Sequence, residues 1–183
     1  MLFRISRQWG VHPIDGMRQL THIDTQSLTF IKRQWLWRNS IMKRITVLLA
    51  DDNRVVRSEF RRILEREDDL EVVGEAKNGH QAVTMVKKLR PALVLMDIAM
   101  PLLNGLQATR QILKAAHATK VLMLSAHSDD AYVEEATNSG AMGYLLKQTA
   151  ADSVCPAIRE VQKGNTFFSP SISSRFHKRT RKR

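Results

Sequence analysis

The chain holds a single cysteine, Cys155, among 183 residues. An internal disulfide is therefore excluded, and no Cys/His cluster is available for a structural zinc site. A reducing, cytoplasmic setting is the simple expectation. Glycine is sparse, at 8 residues, and never falls in a G-x-G or G-x-x-x-x-G-K-[ST] pattern. That removes the phosphate loops on which nucleotide-binding folds depend. Long hydrophobic runs are missing too. Stretches such as Ala92 to Met96 stop well short of the roughly 20 residues that span a bilayer. Nothing near the start has the form of a secretory apolar region with a cleavage site. The length fits one domain with tails.

Charge is present in excess but unevenly. The net charge of +11 is carried by the two ends. Residues 1–42 hold six Lys/Arg against two Asp, and residues 175–183 hold six Lys/Arg with no acid. Residues 43–174 are nearly neutral, so a high isoelectric point does not make the central region a nucleic-acid surface. Residues 1–42 show no sustained period, and Met42 is followed at once by Lys43, Arg44 and a strand pattern. They read as an extension upstream of a natural start or, alternatively, as an anchoring or partner-binding segment. The tail from Arg175 to Arg183 has a disordered composition. It reads as the remnant of a linker, with weak, salt-sensitive nucleic-acid contact as its other reading.

From Ile45 the chain becomes regular. Short apolar runs at Ile45 to Leu49, Glu71 to Glu75, Ala92 to Met96, Val121 to Leu124 and Met142 to Leu146 read as strands. Between them lie helical faces. Val56, Phe60, Ile63 and Leu64 form the first, and Ala82, Val86 and Leu89 the second. Leu106, Thr109, Ile112 and Leu113 form the third. Asp129 to Ser139 is a helix with a thin apolar face, and Val154, Ala157, Ile158 and Val161 mark a fifth. Gly140 and Gly164 close the last two. Pro156 would cost about 3 kcal/mol inside a helix, so a start at Asp152 or Ser153, or a kink, is expected. The alternation predicts an α/β, flavodoxin-like, doubly wound parallel sheet of five strands in order 2-1-3-4-5 with five helices. Chemistry then belongs outside the carboxyl ends of the strands.

Asp51 and Asp52 follow the first strand, Asp97 ends the third, Ser125 the fourth, and Lys147 the fifth. Each alone has an ordinary explanation: a helix cap, a turn, a loop hydroxyl, a solvated amine. Together they place three carboxylates on one rim, where they repel unless a cation and Lys147 neutralise them. An all-oxygen donor set with room for water suits Mg²⁺. Phosphoryl transfer to a carboxylate follows from such electrostatics, and Asp97, on the central strand, is the best-constrained nucleophile.

Leu48 to Asp52, Leu93 to Pro101, Asn104-Gly105, Ser125-Ala126 and Gly143 to Lys147 resemble the receiver domains of bacterial response regulators, over about residues 44–165. The resemblance implies that Asp97 accepts phosphate from a histidine kinase or a phosphotransfer protein. It implies that Asp51 and Asp52 form the acidic pocket, with Asp52 the direct Mg²⁺ ligand and the Ala99 backbone carbonyl completing the set. Lys147 would contact the phosphoryl group and Ser125 would donate its hydroxyl to it. Tyr144 would be the aromatic switch that turns inward as Ser125 moves; its spacing alone reads as an edge-strand aromatic. A phosphorylation-dependent homodimer through the switch face is a further implication, and no membrane partner is expected. Beyond self-phosphorylation and autodephosphorylation no enzyme activity is implied. The segment from Gly143 to Pro170 is similar to the LuxR-type branch, whose helix-turn-helix domain has no room before Arg183. Transcriptional regulation, through a lost output domain or the basic tail, is the alternative. A dehalogenase-type phosphatase would need an acid at Ala99. His127, beside the site, either positions water or faces solvent.

Overall fold

A computed structural model describes residues 44–174. The expectations for residues 1–42 and 175–183 lie outside the described residues. β1 (Ile45–Ala50) buries Val47 to Ala50, as a β-branched and aliphatic run demands. α1 (Arg54–Leu64) is capped by Asn53, whose side chain accepts from the Val55 N–H, and it turns Phe60 and Leu64 inward. β2 (Leu70–Ala76) precedes α2 (Gly79–Leu89), capped by Asn78. β3 (Leu93–Asp97) is buried throughout. Asn104 caps α3 (Gly105–Ala115), which leads to β4 (Lys120–Ser125). α4 (Asp130–Asn138) buries only Val133 and Ala136, the expected thin face. β5 (Gly143–Leu146) runs through a single 3-10 turn at Lys147–Thr149 into α5 (Ala150–Lys163).

The sheet is parallel, in order β2-β1-β3-β4-β5-β6. The expected order holds, with a sixth strand, β6 (Phe167–Phe168), added beyond β5. Alternate side chains on each strand feed opposite faces. Leu48, Val94, Met96, Val121, Met123 and Tyr144 meet α2, α3 and α4. Val47, Leu49, Leu93, Leu95, Leu122 and Leu145 meet α1 and α5. Both faces are covered, as a parallel sheet requires.

Three details differ from the sequence reading. The packed unit continues past residue 165. The Phe167 N–H donates to Met142 O, and the Ser169 N–H donates to Tyr144 O. Ser169 Oγ accepts from the Leu146 N–H, and Ile172 is fully buried beside Tyr144 and Leu146. β5 is therefore an interior strand, and the edge-strand reading of Tyr144 falls. Leu89 was expected inward but is 39% exposed. It lies over Gly74 on β2, the edge of the sheet, where no further strand covers it among the described residues. α5 begins at Ala150, so Pro156 sits inside the helix and the late start is not found. Burial of Ala150 directly after the 3-10 turn sets the earlier start.

Full burial of an aliphatic side chain is worth roughly 1.5–3 kcal/mol, and a cavity adds to the loss. Ile172→Ala is expected to lower unfolding free energy in urea by about 2–5 kcal/mol. Val55→Ala, at a position 74% exposed, changes it by no more than about 0.5 kcal/mol. Equal effects would show that the segment after α5 is not part of the cooperative unit.

Candidate functional site

Strand ends build the site. Asp51 leaves β1 with its N–H donating to Ala76 O, which carries the pairing with β2 one residue further. Its Oδ1 accepts from the Asn53 N–H at 2.8 Å, so the carboxylate is aimed by the turn into α1. Asp97 is the last residue of β3, and both acids are buried. Asp52 is exposed. Carboxylate oxygens of Asp51, Asp52 and Asp97 lie within 4.8 Å of one another. Lys147, directly after β5, places Nζ 2.7 Å from Asp51 Oδ2 and 3.0 Å from Asp97 Oδ1. Gly105 lets α3 approach: a Cβ there would meet Asp97 O at 2.0 Å.

The electrostatics follow from this crowding. Burial raises the Asp97 carboxyl above its ordinary value, and the Asp51 charge pushes the same way. Lys147 and the Ala99 N–H oppose them without cancelling them. Burial by itself would lower Lys147, but the Asp51 and Asp97 carboxylates outweigh it and hold the ammonium above its usual range. Asp51 Oδ2 is buried and lies 2.7 Å from the Lys147 ammonium. A buried carboxylate oxygen so placed, with two more acids beside it, is a donor set for a hard cation such as Mg²⁺.

A response regulator receiver domain is matched over residues 47–159. The chain belongs to the response regulator receiver domain family. It is 37% identical over 139 residues to the transcriptional regulatory protein DegU of Brevibacillus brevis, covering 76% of this chain and 59% of that protein. The chain thus spans about three fifths of the length of that relative. A solved LuxR-family two-component response regulator from an Aurantimonas species superposes with TM-score 0.72 at 29% identity, over 75% of this chain and 99% of the other. The response regulator domain of Thermotoga maritima CheB superposes with TM-score 0.63 at 32% identity, over 66% of this chain and 98% of the other. Receiver domains bind Mg²⁺ at an acidic pocket and interact with histidine kinases. Among the described residues no helix is long and apolar enough to cross a membrane.

The structure brings together Asp51, Asp52, Asp97 and Lys147. Ser125 ends β4, and Tyr144 lies on the adjacent strand. Ser125 Oγ accepts from the His127 N–H at 3.0 Å. The Tyr144 hydroxyl donates to His127 O at 2.8 Å. The Tyr144 ring is therefore already inside. The resemblance led to a ring that enters only when Ser125 moves. His127 is exposed and stacks on Tyr132, with ring centroids 4.7 Å apart. Arg57 escaped the sequence reading. Its Nη1 donates to Asp51 O at 2.7 Å and to Asp52 O at 3.2 Å. The available signal was an arginine near the start of a helix with no acid in its first turn, where the macrodipole disfavours cations.

An acid whose folded pKa is raised holds its proton more tightly when folded. Wild-type stability then falls as pH rises from the ordinary carboxylate value through the raised one. Asp97→Asn removes that loss. At neutral pH without divalent cations its Tm is expected above wild type, and the gap should close as pH falls through the carboxylate range. A wild type that equals or exceeds the variant at neutral pH would show that Asp97 is not strained.

Proposed function

We infer that the chain is a phospho-accepting receiver in a two-component phosphorelay. A carboxylate oxygen of Asp97 attacks the phosphorus of a phosphohistidine on a histidine kinase or phosphotransfer protein. The P–O bond forms, the P–N bond breaks, and the imidazole leaves. The observation that carries this reading is the Lys147 ammonium held between Asp51 and Asp97. It offsets charge where an incoming phosphoryl group would add more.

Asp51, Asp52, Asp97 and the Ala99 carbonyl would hold Mg²⁺, which when bound neutralises charge on phosphoryl oxygens. Lys147 stays near the transferred group as its second source of positive charge. Ser125 turns its hydroxyl toward a phosphoryl oxygen. The Tyr144 ring is already inward, so phosphorylation would act by favouring this arrangement of Ser125, His127 and Tyr144 over others. The readout is the face of α4, β5 and α5. The two buried residues of α4 make it the most easily displaced element there. A homodimer or downstream protein would read that face. The chemistry is a single event per chain, not steady turnover.

Transcriptional regulation is the second reading. Its support is DegU, a transcriptional regulatory protein of which this chain matches 59%. The receiver would then control an attached DNA-binding region.

With Mg²⁺ and a small acyl phosphate, wild type is expected to take up one phosphoryl group per chain, read by intact mass. Asp97→Ala should take up none, and Lys147→Ala should react about 100-fold more slowly. Label retained by Asp97→Ala would refute the assignment. Continuous phosphate release from a phosphoester would indicate a phosphatase instead.

A further inference from the structure

The acidic pair after β1 is held by a clamp on its backbone. Arg57 Nη1 donates to the carbonyls of both Asp51 and Asp52. Arg57 Nε donates to Glu75 Oε2 at 2.9 Å, and Arg61 Nε donates to the other oxygen of the same carboxylate at 2.6 Å. Arg61 holds Glu75 well below the usual carboxylate range, with Arg57 adding to the effect. Glu75 therefore stays ionised and keeps the Arg57 fork in place. The Arg57 side chain is only 13% exposed. A cation in the first turn of a helix costs about 0.3–1 kcal/mol against the macrodipole, so its position calls for a compensating role.

The geometry points to Arg57 as a positioning residue for Mg²⁺ binding, acting through the peptide planes of Asp51 and Asp52. Fixing two successive carbonyls fixes the two peptide groups on either side of Asp52. That sets the direction in which the exposed Asp52 carboxylate leaves the chain. Asp51 is already aimed by the Asn53 N–H; Asp52 depends on the backbone. A ligand pair aligned in advance loses less freedom on binding. Glu75 offsets the Arg57 charge, so the contribution is geometric more than electrostatic. A lysine cannot reproduce it, because one ammonium does not present the planar fork that spans Glu75 and the two carbonyls. This inference rests on the phospho-receiver reading and adds to it.

The test is Mg²⁺ binding to the full, unphosphorylated chain by calorimetry, with phosphorylation by a small acyl phosphate followed separately. Arg57→Met is expected to raise the Mg²⁺ Kd about 10-fold, with Arg57→Lys between it and wild type. Both should still reach one phosphoryl group per chain at saturating Mg²⁺. Arg159→Met is the structural control. It breaks ion pairs to Glu67 and Asp69 that share no partner with Arg57, and it should leave the Kd unchanged. Arg57→Lys keeps the charge and most of the volume, so it reports on the clamp even where Arg57→Met folds poorly. Wild-type affinity in both Arg57 variants, or equal weakening by Arg159→Met, overturns the inference alone. A wild type that binds no Mg²⁺ overturns the receiver reading along with it.

Discussion

One ammonium group stands between two buried carboxylates. Lys147 Nζ lies 2.7 Å from Asp51 and 3.0 Å from Asp97, and most of what is unusual in this chain follows from that contact. Two buried acids this close could not both remain charged without a cation among them. The compensation is incomplete, since Asp97 stays above its ordinary value through burial and through Asp51. A parallel sheet can assemble such a cluster because β1, β3 and β5 all end at the same rim. Residues far apart in the chain need only be the last or next residue of a strand to meet there.

The same arrangement links the acids to a surface. β4 ends in Ser125, β5 carries Tyr144, and a hydrogen-bonded set through His127 joins them. β5 is gripped on its other side by Ser169, which pairs with the backbone of Tyr144 and Leu146, and by buried Ile172. The strand that bears the aromatic residue is thus fixed from both flanks. α4, by contrast, is attached through two buried side chains.

Much of this was legible in the residues. Strands with continuous apolar runs and helices with inward faces at 3.6-residue spacing yield the alternation directly, and the strand ends then name Asp51, Asp97 and Lys147. What was not legible has physical reasons. β6 is two residues long and carries no period. The burial of Ile172 depends on Ser169 reaching β5, a contact made 23 residues away in sequence. Leu89 has the right spacing for the core but lies over β2, the edge strand among the described residues. Pro156 suggested a boundary that burial of Ala150 overrides. Arg57 works with Glu75, 18 residues on and in another element, and no local pattern announces such a pair.

The claim that this ammonium makes the acid cluster tolerable is tested most directly by thermal unfolding of Lys147→Met, with and without Mg²⁺, against wild type. Without the ion the variant should melt below wild type, because two buried acids lose their shared partner. Added Mg²⁺ should raise its Tm by more than it raises that of wild type, since the ion no longer competes with an amine. A variant as stable as wild type in metal-free buffer, with the same response to Mg²⁺, would contradict the account.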